Sequence, residues 1–417
     1  MVEYTRAMKK QILAFVIMIV VLPLLAESIY APGLPDLAES FSISDVMAEY
    51  TLSIYLFGMS VGVLFWGNLS DVIGRKSVVL IGFSVFLVAT CWCYFTTDFY
   101  VFMLFRFLQA FGGAVSCVSQ CVNRDVFEQK ERMGLSAQIG TAVSIAPAIG
   151  ALLGGVISQY YGWRHSFLFL IVAACYFLYI FYTQLPETKT GSYLKQDPRA
   201  FYSVLRAVLR DKNLWCNAII IGCGLGIFYA FMSEGAFYCI ESLSMTSRTY
   251  GVVCASGSLV YACGCRFCNF LIQRGIRYQK VMVCGVLMMG IGFSLFLLAV
   301  YAALIVSPVG ADFVSFSTTL CFSFLWVFSS LGLSFVLTPC FANALENQRD
   351  NAGVAASIFA FIYNIMTTFV NVLISCLHVN SLYGMPFFFL CVVVVIAFFC
   401  GMLFRSQRYV FELQRAV

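Results

Sequence analysis

Twelve apolar segments of roughly 20 residues limit this chain to very few folds, because each is long enough to cross a hydrocarbon core as a helix. They fall near 11–33, 49–69, 77–96, 99–122, 135–158, 165–185, 213–237, 250–270, 281–304, 313–341, 352–376 and 386–404. Lipid offers no partner to a backbone amide, so each segment must satisfy its hydrogen bonds internally. With 61% hydrophobic and only 11% charged residues in 417, the chain lacks the polar surface that a soluble domain of this size needs. The expected fold class is an all-α polytopic membrane protein, with 12 transmembrane helices in two six-helix halves.

Charge placement tests the count independently. If the N-terminus is cytoplasmic, the inner segments hold 21 of the 25 basic residues, and the outer loops hold only Arg164 and Arg248. Arg106 and Arg266 fall inside spans. An odd number of spans would reverse this bias halfway along the chain, so both termini are expected inside. The net charge of +5 follows from that topology and calls for no nucleic-acid partner. Residues 1–26 resemble a secretory leader, but eleven further spans follow and the segment reads as the first helix. The 18 Cys lie mostly within spans, where they act as small apolar residues, and no disulfide framework is expected.

The longest polar stretch runs from Pro186 to Lys212 and divides the chain. Residues 1–187 form the expected N-terminal half, 188–212 a basic cytoplasmic linker and 213–417 the C-terminal half. Ala200 to Arg210 can be written as an amphipathic helix on the inner surface. A partial internal echo supports the division: Tyr50 to Gly82 and Tyr250 to Gly285 each run from an aromatic through a Gly-rich span into a basic turn. Gly74-Arg75-Lys76 corresponds to Gly275-Ile276-Arg277. Parallel six-helix repeats around a midplane site are one design of transporter.

An ionisable side chain within a span costs about 2.5–3.5 kcal/mol and therefore needs a reason. Glu27 lies roughly 24 Å from the inner start of its span and Arg106 roughly 10 Å from the outer start of its own. In a core of about 30 Å the two depths agree, which makes them the best candidates for a proton-coupling pair. A carboxylate whose hydration and cationic neighbour both change with conformation can load and release a proton. A cationic substrate competes for the same group. Polar or aromatic span positions suggest Tyr30, Tyr55, Gln109, Tyr229 and Asn364 as cavity residues. Glu234, also a substrate-site candidate, falls near the outer interface, where water makes a carboxylate inexpensive. Cys263, Cys265 and Cys268 read as packing, and His165 and His378 stand too far apart for a metal site. No cofactor is expected beyond the proton.

Two further patterns suggest moving parts. The stretch Gly67-Asn68-Leu69-Ser70-Asp71-Val72-Ile73-Gly74-Arg75-Lys76 sets charges and turn-formers between two apolar runs, as a tight inner connection requires. In the fifth span Ala142, Ala146, Gly150, Gly154 and Ser158 recur every fourth residue with Pro147 among them, so that another helix can pack closely against a bend. Gly67, Asp71, Gly74, Arg75, Lys76, Pro147, Gly150 and Gly154 are accordingly the expected gating residues.

The inner connection fits the G-x-L-x-D-x-x-G-R-K signature of the major facilitator superfamily. Other stretches resemble its drug/proton antiporters, particularly the bicyclomycin/chloramphenicol-resistance branch. Ser28-Ile29-Tyr30-Ala31-Pro32-Gly33-Leu34-Pro35 is similar to the first-helix D-x-Y-x-P-x-x-P, and Arg106-Phe107-Leu108-Gln109-Ala110-Phe111-Gly112 to the fourth-helix R-x-x-Q-G-x-G. Ala146-Pro147-Ala148-Ile149-Gly150 resembles the antiporter G-P-x-x-G, and Leu185-Pro186-Glu187-Thr188 the usual exit from helix six. Ser28 stands where the branch has Asp, and Glu27 is one position earlier. The resemblance implies that Asp71 faces the start of helix eleven near Arg349 to Gly353 and holds an inner gate. It also implies a monomer in the inner membrane of a bacterium that exports small amphipathic or cationic organic molecules in exchange for protons. A nutrient, metabolite or siderophore carrier is the alternative on this fold. An integral membrane enzyme would need a clustered nucleophile, base or metal set, and neither H-E-x-x-H nor G-x-S-x-G occurs.

Overall fold

Side chains at the water boundary decide where several helices begin. In a computed structural model, which describes residues 5–127, 129–188, 206, 208–242, 244–306, 311–377 and 384–416, Thr5 accepts from the amide of Met8 and Ser44 from that of Met47. Asp98 accepts from the amide of Val101, and Asp211 from those of Asn213 and Leu214. Each satisfies amides that a helix start leaves without an internal acceptor. The long helices are α1 (Arg6–Ser28), α2 (Asp45–Ile73), α3 (Arg75–Phe95), α4 (Phe99–Gly113), α5 (Gln129–Tyr161) and α6 (Arg164–Gln184). They continue with α7 (Lys212–Phe237), α8 (Ser247–Gln273), α9 (Tyr278–Val306), α10 (Ala311–Asn343), α11 (Ala352–Cys376) and α12 (Gly384–Ala416). Twelve candidate spans, one for each apolar segment, are long and apolar enough to cross a membrane, and no strand occurs among the described residues.

Among the described residues, the first and fourth spans are broken by 3-10 turns. After α1, a 3-10 turn at Ala31–Gly33 leads into a short helix, Leu34–Phe41, with Pro32 and Pro35 in their first turns. After α4, a 3-10 turn at Ala114–Cys117 passes into a helix at Val118–Val126.

The chain forms two compact units, Met1–Ser203 with Ser247–Ala255, and Val204–Thr246 with Ser256–Val417. The first turns of α8 thus cluster with the N-terminal unit. Within that unit α1 packs on α5, α2 and α3 pack on α4, and α3 packs on α6. In the other unit α7 packs on α11 and α12, and α9 on α10 and α12. Large apolar side chains such as Leu104, Val172, Leu298, Val394 and Phe398 point outward, as they must where the solvent is lipid. The internal echo has a backbone counterpart, since Gly74 and Gly275 take φ of 96° and 86°, a left-handed region that suits glycine. Most of the expected surface helix at 200–210 lies outside the described residues, although Arg206 and residues 208–210 are helical.

Candidate functional site

In the N-terminal unit the sequence candidates converge on one buried cluster. Arg106, on α4, is fully enclosed. Its Nη1 donates to Gln109 Oε1 at 2.6 Å, one helical turn on. Gln109 is fixed in turn, because its amide donates to Thr90 Oγ1 on α3 at 2.8 Å. That α3–α4 contact is possible because Gly82 and Gly112 let the two backbones approach, and a Cβ on Gly112 would lie 2.6 Å from the carbonyl oxygen of Gly82. The guanidinium carbon lies 4.1 Å from the ring centre of Tyr30 and 4.4 Å from that of Tyr55. Desolvated contacts of this kind are worth about 2 kcal/mol. Tyr30 and Tyr55 are both buried, and both hydroxyls are committed. Tyr30 shares a hydrogen bond with Thr51 at 3.3 Å, and Tyr55 donates to the carbonyl of Pro23 at 2.8 Å.

Glu27, also buried, acts electrostatically on the same two tyrosines. Arg106 meets Gln109 and the ring faces of Tyr30 and Tyr55, so it shares those aromatic neighbours with Glu27. Ser28 points elsewhere, with its hydroxyl donating to the carbonyl of Leu24 on its own helix at 3.1 Å. Beyond Tyr30 the cluster is sealed by rings. Phe167 packs on Tyr30, Phe102 on Phe167, and Trp163 on both Phe102 and Phe41.

The ten-residue connection between α2 and α3 forms a knot of charges. Arg75 is buried at the start of α3, and its Nη1 donates to Ser70 Oγ and Asp71 Oδ1, each at 2.7 Å. Its Nε donates to Asp125 Oδ2 at 3.0 Å, which joins the C-terminal end of the fourth span to the turn between α2 and α3. Glu187, just past α6, closes the same turn by accepting from the amides of Arg75 and Lys76 at 2.9 and 3.1 Å. Gly74 is required twice, by its positive φ and because a Cβ there would meet the Glu187 carboxylate. Gly67 supplies a carbonyl to Ser70 Oγ at 2.8 Å. The side chains of Arg349 to Gly353, the expected partners of Asp71, lie outside the described residues.

The small-residue row of α5 meets α1. A Cβ on Gly150 would strike the Ser28 hydroxyl, and one on Gly154 the carbonyl of Ile29. Pro147, within α5, is buried beside them.

The C-terminal candidates gather less closely. Tyr229 is half-buried on α7, with its ring against Phe228. Asn364, on α11, uses its amide to bond the carbonyl of Ala360 on its own helix at 2.9 Å. Glu234 departs from expectation: it is buried, with 8% of its surface exposed, rather than set in a hydrated interface. Residues Ala230 to Phe237 of α7 are all buried, so its C-terminal third lies within the bundle.

Sequence reasoning missed three groups. Thr51 and Thr90 are ordinary span residues until Tyr30 and Gln109 are brought onto them, and no local pattern marks them. Asp125 had a signal, since an acid just past span four can meet a basic turn. Glu49 is fully buried near the start of α2, although its neighbours Ser44 and Asp45 give the segment the look of a loop.

The sequence model of the Major Facilitator Superfamily matches residues 16–367. The chain belongs to the Major Facilitator Superfamily. An uncharacterized transporter of Rickettsia bellii is 31% identical over 369 residues, covering 88% of this chain and 90% of that protein. Multidrug resistance protein D of Escherichia coli is 27% identical over 251 residues, 59% of this chain and 63% of the relative, in keeping with the drug/proton antiporter resemblance. Among solved structures, a D-xylose-proton symporter superposes with a TM-score of 0.71 at 16% identity, covering 93% of this chain and 96% of the other, and it shares the fold. The protein is therefore a superfamily transporter built of two helical units.

Proposed function

We propose that this transporter exports small amphipathic or cationic organic molecules in exchange for protons, by alternating access between its two halves. The observation that carries the reading is the enclosure of Glu27, Arg106, Tyr30, Tyr55 and Gln109 in one cluster within the spans. Charged groups at this depth are costly to keep, and coupling a gradient to cargo is a function that justifies them. Proton occupancy of Glu27 depends on its hydration and on its separation from Arg106, and both change when the bundle opens to one side. A cationic cargo group and a proton compete for the carboxylate, so cargo leaving by one face makes room for a proton from that face. The inner knot around Arg75 gives the N-terminal half a latch that can open, since Asp71 is half exposed and its pairing is screened by water. The name of the Escherichia coli relative supports the drug-efflux side of the reading. In this reading the chain works as a monomer in a bacterial inner membrane, with both termini cytoplasmic.

The test is reconstitution into liposomes with an imposed pH gradient. Cationic dyes and drugs are expected to move protons in the opposite direction, and Glu27→Gln to abolish that proton movement. Proton-coupled transport that survives in Glu27→Gln overturns the proposal.

A further inference from the structure

An open groove of about 370 Å³ runs between α3 and α6 on the exposed surface of the N-terminal unit. Leu80, Ser84 and Leu87 line it from one face of α3, and Cys175, Tyr179 and Tyr182 line it from α6. The small side chains of Ser84 and Cys175 leave room between their larger neighbours. Polarity is graded along its length. Lys76 lies one helical turn before Leu80 on the same face, at the start of α3. Among the described residues its ammonium forms no ion pair: Asp71 and Asp125 bind Arg75, and Glu187 accepts from the amides of Arg75 and Lys76. The same Glu187 contact brings the end of α6 level with the start of α3, so Tyr182 stands near the water boundary and Tyr179 about one turn deeper. Both tyrosines are exposed, and among the described residues neither hydroxyl has a partner. Deeper still the walls are Leu87 and Cys175, and the Ser84 hydroxyl is spent on the carbonyl of Leu80 at 2.8 Å. From Lys76 to Leu87 the helix rises about 16 Å, close to half of a hydrocarbon core of about 30 Å.

From this geometry we infer that the groove holds one phospholipid of net negative charge. Its phosphate sits at Lys76, its ester region meets the hydroxyls of Tyr182 and Tyr179, and one acyl chain runs past Leu80 and Ser84 to Leu87. Charge, then hydroxyl donors, then apolar wall follow the order of groups in such a lipid from headgroup to chain. Depth argues for a lipid of one leaflet over a second copy of this chain. The groove ends at Leu87 and Cys175, while α3 continues to Phe95 and α6 reaches back to Arg164, whereas a partner helix would need a track across the whole core. A lysine at the mouth favours an anionic headgroup over a neutral one, since a basic residue at the membrane surface attracts anionic lipid. A lipid seated there touches both helices at once and fastens α3, whose first residue is Arg75, to α6. The inference is independent of the cargo and of the proton exchange at Glu27.

The test uses the full-length protein, purified in detergent and stripped of lipid, with phosphatidylglycerol and phosphatidylcholine of identical acyl chains as probes. Native mass spectrometry counts the molecules retained, and the shift in unfolding temperature gives an independent measure of binding. The wild type is expected to retain one phosphatidylglycerol, bound about fivefold tighter than phosphatidylcholine. Ser84→Trp fills the middle of the groove and Leu87→Trp its deep end, and each is expected to abolish that retained molecule. Val394→Trp, on an exposed face of α12, is expected to keep it. Lys76→Gln removes the charge and is expected to bring the two lipids to similar affinity. Equal retention of both lipids by the wild type, the behaviour of an unselective lipid shell, overturns the inference. Wild-type retention of phosphatidylglycerol by both Ser84→Trp and Leu87→Trp overturns it as well. A preference that persists in Lys76→Gln overturns the placement of the headgroup. A wild-type dimer that Ser84→Trp converts to a monomer, measured by light scattering, would make the groove a contact with a second copy and overturn the lipid assignment.

Discussion

Replacing Gly154 with Ala puts a methyl group where the carbonyl oxygen of Ile29 now sits, and the obstacle is backbone rather than a side chain that can turn away. Relief requires α1 to move off α5. Overpacking of this kind costs typically about 1–3 kcal/mol, and a clash with backbone belongs at the upper end. Ala gains up to about 1 kcal/mol over Gly in a helix, which leaves a net destabilisation of about 2 kcal/mol. Gly140, on the same helix, supplies the control. A Cβ there meets nothing within 4 Å, so Gly140→Ala keeps only the helix preference and should be neutral or stabilising by up to about 1 kcal/mol. Gly150→Ala is intermediate, because its main obstacle is the Ser28 hydroxyl, and adding Ser28→Ala should return much of the loss. The readout is thermal unfolding of purified protein in detergent, followed by tryptophan fluorescence. The expected order of stability is Gly140→Ala, then Gly150→Ala, then Gly154→Ala. A Gly154→Ala protein as stable as the Gly140→Ala protein would refute the claim that the α1–α5 contact is limited by backbone approach.

Other substitutions probe the inner knot and the buried cluster. Arg75→Ala should destabilise more than Asp125→Asn, and Asp125→Asn more than Asp71→Asn, because side-chain exposure rises from 5% to 16% to 49% along that series; denaturation midpoints that reverse this order would contradict the account. Glu187→Ala removes the acceptor for two helix-start amides and should cost about 1 kcal/mol, while Glu187→Gln retains an acceptor and should cost less. Thr90→Val removes the partner of the Gln109 amide, so it should lower proton-coupled transport in reconstituted liposomes. Unchanged transport would show that Gln109 needs no support from α3.

The spans were legible because lipid imposes a length and a polarity on every segment. The tight turn at Gly74 was legible for a similar reason, since few residues can make that backbone bend between two membrane helices. The Glu27 and Arg106 depths were readable from helical rise alone. What rise cannot give is rotation about the helix axis, and that rotation sets Arg106 against the faces of Tyr30 and Tyr55. Rotation likewise hides Glu234 within the α7 bundle and Glu49 behind a polar helix start. Asp125 and Glu187 act on a turn that lies 50 and more than 100 residues away in sequence, and no local pattern encodes such a meeting.

The Glu187 contact also sets a schedule for biosynthesis. Its carboxylate closes the start of α3 from 112 positions downstream. At about 5–20 residues per second, a ribosome needs on the order of 10 s to supply it after Arg75 has emerged. Until then two amides at that boundary must be held by water or by an insertion factor, so the second and third helices enter the bilayer before their junction is finished. The residue that follows the sixth helix is thus the fastener of the early hairpin.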